Sequence, residues 1–167
     1  MREIAIPALV EVEPADTLAA MVRRNARERP DAAAFDRPDG SGGWTPVTNA
    51  QFLAEVEAVA RGLVAHGIRP GDRVGLMSRT RYEWTLLDFA IWTAGGVVVP
   101  IYETSSSEQV LWMLADSGAR ACFVETPLHL RTVQAVDPVL PGLEHVWSIG
   151  EGAVDDLARA GADTPAD

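Results

Sequence analysis

A chain of 167 residues, 47% of them hydrophobic, is long enough for one domain with a sizeable core; a domain of this size buries roughly 70% of its unfolded surface. Its formal net charge of −10 argues against a nucleic-acid partner, which needs a basic face, and no apolar run reaches the roughly 20 residues of a membrane span. All 14 basic residues are arginine, which removes any phosphate-loop or Schiff-base lysine, and the single cysteine, Cys122, excludes an intrachain disulfide.

The opening stretch MREIAIPALVEVEP lacks the basic region and long apolar run of a signal peptide. It reads as an extended arm, residues 1–15, of a cytoplasmic protein. Asp16 is placed as the N-cap of a helix through TLAAMVRRNARER that stops at Pro30. AAAFDR and WTPVT read as strands around the loop PDGSGG, which lacks the spacing and the lysine of a phosphate loop. Thr48 and Gln51 have capping-box spacing. Behind them Phe52, Leu53, Val56, Val59, Ala60, Leu63 and Val64 recur at helical intervals as far as His66-Gly67.

RVGLM is a short strand. Thr80 and Glu83 suggest a second capping box, ahead of RYEWTLLDFAIWTA, which is apolar on most faces and so expected to be largely buried. Gly95-Gly96 end that helix. VVVPI, a continuous β-branched run, is expected to be a strand covered on both faces, with Pro100 near the end of its ladder because proline has no N–H to donate.

The hydroxyl cluster Thr104–Ser107 raises the question of a ligand loop. Ser105 with Glu108, or Ser106 with Gln109, has capping-box spacing, and Val110, Leu111 and Leu114 then supply a helical face that Gly118 closes. A helix start also attracts anions, but no glycine fold or cation stands close by. ACFVE is the next strand, with Cys122 buried and inert. Thr126-Pro127 opens the helix LHLRTVQAV, HVWSI is a strand, and AVDDLARA is a last helix ending at Gly161. Residues 162–167 read as a polar, disordered tail. Strands alternate with helices, so the expected fold is α/β: three layers, a mostly parallel sheet with helices on both faces, plus an N-terminal helix and hairpin, over residues 16–161.

The residues themselves assemble no catalytic constellation. His66, His129 and His145 share no local motif with a serine, an acid or Cys122, and their spacing is not that of a metal site. Asp155-Asp156 read as solvated surface. Trp84, Trp92 and Trp112, with Tyr82 and Phe89, read as core.

HGIRPGDRVGLMSRTRYEWTLLDFAIWTAGGVVVPIYETSSSEQVLWMLADSGARACFVE, His66 to Glu125, closely resembles the N-terminal part of the AMP-forming acyl-CoA synthetases. VPIYETSSSEQ is most similar to long-chain fatty-acid–CoA ligases of actinobacterial type, and the likeness extends back through Trp44–Leu63 and on to about Gly150. The resemblance implies a parent that joins a fatty acid to coenzyme A through an acyl-adenylate, using ATP and Mg2+. The family's phosphate loop, a Ser/Thr/Gly run followed by Pro-Lys, lies downstream of the matched region and has no counterpart here; nor do its adenine-binding segment, ribose-binding aspartate or C-terminal lysine. The resemblance therefore transfers no catalytic, cofactor-binding or metal-binding residue to this chain.

What it implies is an N-terminal subdomain, inactive alone, whose partner is the remainder of the parent ligase. Tyr102 and Thr104, at the carboxyl end of VVVPI, are the residues it points to as facing a ligand cleft completed by that remainder. Surface left uncovered by the missing part is expected to promote a homodimer, through a sheet edge or the tryptophan-bearing helices. The parent is expected in the cytoplasm, with peripheral membrane association compatible. Two alternatives stay open at this point: a parent that loads a carrier protein instead of coenzyme A, and a stand-alone interaction module that keeps the scaffold without catalysis.

Overall fold

A computed structural model of the protein describes residues 15–163. Helix α1 (Leu18–Glu28) is followed by the hairpin β1 (Ala33–Pro38) and β2 (Trp44–Thr48), and then by α2 (Asn49–Ala65). From there strands and helices alternate: β3 (Arg73–Met77), α3 (Tyr82–Thr93), β4 (Val97–Ile101), α4 (Ser107–Ser117), β5 (Ala121–Val124), α5 (Pro127–Gln134), β6 (His145–Ser148) and α6 (Ala153–Ala160). The four later strands form one parallel sheet in the order β4-β3-β5-β6, and the hairpin is a separate antiparallel pair. In register Met77 lies opposite both Ile101 and Val124, and Val124 opposite Ser148, so the carboxyl ends of all four strands finish together.

Two apolar clusters fill the spaces on either side of the sheet. Val74, Leu76, Ala121 and Phe123 turn towards α2, α3 and α6, with Phe52, Val56, Leu63, Leu87, Ile91 and Leu157 against them. Met77, Ile101, Cys122 and Val124 turn the other way, onto Val110 and Leu114 of α4 and Val133 of α5. This is the expected three-layer α/β architecture. Helix α6 lies so close to α2 that a Cβ on Gly62 would collide with the Leu157 carbonyl, so only glycine fits there. The hairpin rests on the start of α2, where the Phe35 and Phe52 rings approach to 4.7 Å.

Local signals placed most helix ends. Thr48 and Gln51 form the capping box of α2, and Ser106 and Gln109 that of α4; Gly118 ends α4 in the left-handed conformation, at φ 60°. Thr126 caps α5 ahead of Pro127. The hydroxyl cluster is therefore a helix start. Two expected caps are corrected. Thr17, not Asp16, caps α1, its hydroxyl accepting from the Ala20 N–H at 3.1 Å. Thr80 and Glu83 form no box: Arg81 holds the N-cap position of α3 without a side-chain cap, and Glu83 instead accepts from Arg81 Nε at 2.6 Å.

Three burial expectations are also corrected. VVVPI is not covered on both faces: β4 is an edge strand and only Ile101 on it is buried. The Val97 N–H bonds inward to the Asp72 carbonyl, so alternation turns position 100 outward, where proline's missing donor costs no ladder bond. Trp112 is 66% exposed on the outside of α4, and Val64 is exposed near the end of α2. Cys122 is fully buried, and burial pushes its thiol up to about 12, as an inert thiol requires. The arm read into residues 1–15 lies outside the described residues apart from Ala15, and so does the tail from Thr164; Gly161–Asp163 form a short 3-10 turn. No helix among the described residues is long and apolar enough to cross a membrane.

Candidate functional site at the carboxyl ends of the strands

Parallel sheets hold ligands beyond the carboxyl ends of their strands. Here the end of β5 delivers Glu125 beside the end of β3, its N–H bonding the Met77 carbonyl at 3.1 Å. The loop after β3 carries Ser78, Arg79 and Arg81 over it. Glu125 Oε1 accepts from Arg79 Nη2 at 2.9 Å and from Arg81 Nη1 at 3.4 Å. Its Oε2 accepts from the Arg79 backbone N–H at 2.9 Å and from the Ser78 hydroxyl at 3.3 Å.

Glu125 is only 5% exposed, and burial alone would raise its pKa. The hydrogen bond from the Arg79 guanidinium outweighs burial and, with the other donors, holds the carboxyl down to about 2. The hydrogen bond to Glu125 pushes Arg79 upward from its ordinary value, and Arg81 is pushed upward chiefly by its hydrogen bond to Glu83, with Glu125 adding less. The cluster ties the ends of β3 and β5 together with a fixed charge pair. Arg79, its side chain 69% exposed, also faces solvent.

Two hollows flank this loop. One, of about 470 Å³, lies between the hairpin and the sheet, with Asp36, Trp44, Arg79, Tyr82 and Glu125 in its walls. The other, of about 340 Å³, is walled by Ser78, Arg79, Trp84, Pro100, Tyr102 and Glu103. Tyr102 is thus in the second hollow and 81% exposed, while Thr104 is exposed just past it and is not one of its walls. Tyr82 beside the first hollow is no base: its pKa is raised by burial and by the 2.8 Å hydrogen bond its hydroxyl donates to Glu55. Arg37 stacks over its ring at 5.4 Å.

The histidines do not join this site. His66 and His145 meet at the opposite, amino end of the sheet, where the His145 ring stacks on Trp147 at 4.9 Å and its Nε2 lies 3.0 Å from the His66 carbonyl oxygen. His129 is buried in the first turn of α5, with its Nδ1 unbonded. Among the described residues no group of three His, Cys, Asp or Glu side chains could hold a metal ion. What the carboxyl ends offer is a preorganised wall of a cleft: one fixed ion cluster, one exposed guanidinium and an aromatic rim.

The Glu125–Arg79–Arg81 cluster was not foreseen. Its signal was the placement of each charge straight after a buried strand, Arg79 and Arg81 behind RVGLM and Glu125 behind ACFV.

A parallel α/β sheet of this kind hosts many functions, and the comparison that narrows them is the family model for AMP-binding enzymes, which matches residues 22–165. The chain belongs to that family. It is 46% identical to a long-chain-fatty-acid–CoA ligase of Mycobacterium tuberculosis over 97% of its own length and 27% of that protein, and equally so to the Mycobacterium bovis counterpart. Among solved structures, a fatty acyl CoA synthetase of M. tuberculosis superposes with a TM-score of 0.72 and 26% identity, over 89% of this chain and 28% of that one. A long-chain-fatty-acid-CoA ligase from Archaeoglobus fulgidus gives a TM-score of 0.78 over 99% of this chain and 33% of the other, at 21% identity, a likeness of fold alone. The chain spans about a quarter of the length of the curated relatives it matches.

Proposed function

We propose that this chain is the N-terminal subdomain, residues 16–161, of a long-chain fatty-acid–CoA ligase. The observation that carries the reading is the 46% identity with mycobacterial ligases of that name over 97% of the chain. The parent takes a fatty acid, ATP with Mg2+, and coenzyme A. The carboxylate attacks the α-phosphate to give an acyl-adenylate and pyrophosphate, and the thiol of coenzyme A then displaces AMP. The role of this subdomain is to provide one wall of the cleft. Tyr102 and Thr104, at the end of β4, face substrate there once the remainder of the parent is in place, and the Glu125 cluster keeps the neighbouring strand ends rigid. The parent works in the cytoplasm, and the uncovered β4 edge of this chain, when alone, favours a homodimer.

The test is an assay of the parent ligase and of this chain side by side. With palmitate, ATP, Mg2+ and coenzyme A, the parent is expected to form palmitoyl-CoA and AMP, and the 167-residue chain no acyl-adenylate. Adenylate formation by the short chain, or transfer by the parent to a carrier protein only, would defeat the reading. In the parent, Tyr102→Ala is expected to raise the KM for a substrate several-fold without lowering thermal stability. An unchanged KM would remove Tyr102 from the cleft.

A further inference from the structure

Asp88 lies in the middle of α3, 8% exposed, and among the described residues no hydrogen bond or ion pair reaches its carboxyl group. Burial is the sole cause acting on it, pushing it up to about 6. A buried carboxylate is costly unless a cation or several donors face it. Among the described residues the other buried carboxylate, Glu125, has five donors.

On the flank where Asp88 stands, its neighbours Trp84, Thr85 and Trp92 are half-buried. Phe89 and Tyr82 of α3 pack on Phe52 of α2, and Leu87 and Ile91 belong to the core against the sheet. Asp88 follows Trp84 by four residues and precedes Trp92 by four, so the three share one stripe. Trp84 is a wall of the carboxyl-end hollow together with Pro100 and Tyr102 of the free β4 edge. The stripe is therefore continuous with the cleft that the parent is proposed to complete. A carboxylate between two indoles is the chemistry that receives a guanidinium or an ammonium group.

We propose that Asp88, flanked by Trp84 and Trp92, is the docking socket for an arginine or lysine side chain carried by the remainder of the parent ligase. The socket rests on the reading of the chain as the first part of that ligase. It locks the two parts together beside the cleft, and Asp88 is a positioning residue, not a catalytic one.

The test compares Asp88→Asn in the 167-residue chain and in the parent, by thermal unfolding at pH 8. In the short chain the substitution removes an unpaired buried charge, and the Tm is expected to rise by a few degrees. In the parent it strands the partner cation, and the Tm is expected to fall. A rise in both, or a fall in both, overturns the socket.

Should the substituted parent not fold, the unmodified proteins still give the answer through the 13C-labelled Asp88 carboxyl. Titration near 6 in the short chain but below 4 in the parent supports the pair. Titration near 6 in both overturns it. Palmitoyl-CoA formation by the unmodified parent is scored separately, so an active ligase with a high Asp88 carboxyl rejects the socket alone. A coding sequence that stops at Asp167 rejects both readings.

Discussion

Glu125 and Asp88 are buried to nearly the same extent and have opposite chemistry. Glu125 ends a central strand, where two arginines, a hydroxyl and a backbone N–H converge on it, and its carboxyl is held down to about 2. Asp88 stands on a helix flank with no partner within the described residues, and its carboxyl is pushed up to about 6. Burial raises both carboxyls, and the donors around Glu125 reverse the direction there. The region that is complete within this chain satisfies its acid locally. The region at the free β4 edge leaves its acid for a neighbour.

The largest expected effect breaks the satisfied half. Glu125→Ala removes the acceptor from the Arg79 N–H and guanidinium, and its cost is on the order of 2 kcal/mol after allowing for the solvent around Arg79. Urea unfolding at pH 7 measures it, and a cost indistinguishable from zero would make the cluster ornamental. The folded pKa is depressed below the ordinary 4.5, so the contribution is present above 4.5 and is lost as pH falls from there towards 2. The Glu125→Ala and unmodified curves should therefore converge in acid.

Asp88 runs the other way. Its carboxyl ionises near 3.8 when unfolded and near 6 when folded, so the folded chain holds the extra proton between these values. The Asp88 contribution to stability is therefore most favourable below 3.8 and falls as pH rises through 6. In the 167-residue chain Asp88→Asn is expected to recover about 1–2 kcal/mol at pH 8 and nothing at pH 3.5. A gain independent of pH would assign the effect to packing instead of charge.

How much of this was legible beforehand follows the range of each signal. The capping boxes at Thr48 and Ser106 involve residues three apart: the first stands in the structure as read, and of the two pairs offered for the second the structure takes Ser106 with Gln109. The alternation of strands and helices was likewise visible, because each period is local. Strand order is not local, so VVVPI looked like a central strand although it is the edge, and the fully buried run is ACFV instead. The Thr80–Glu83 box failed because α3 starts one residue later, with Arg81 at the N-cap position, and the Glu83 carboxylate is taken by the Arg81 guanidinium at 2.6 Å. Trp112 looked like core because α4 has apolar residues on both sides of it, yet the residues that face the sheet are Val110 and Leu114. Tyr102 was placed by the rule that strand ends hold ligands, and it stands at a hollow. The arginines beside it drew no reading of their own from the sequence, and Glu125 was read only as the last residue of the strand ACFVE.

Salt gives the smallest and most discriminating contrast. Raising NaCl to 1 M shortens the screening length to about 3 Å, which weakens the part of the Glu125 pairing that passes through the exposed side of Arg79. The backbone N–H and the Ser78 hydroxyl are shielded from solvent and keep their hold. The Glu125 carboxyl should therefore drift upward by only a few tenths of a pH unit between 0.05 and 1 M NaCl, read by 13C titration. Asp88 owes its displacement to desolvation alone, which added ions do not alter, so its midpoint should stay near 6. An Asp88 midpoint that moved with salt would mean that a charge already faces it. The short chain would then have supplied its own partner, and the contrast between a finished and an unfinished side of the fold would fall.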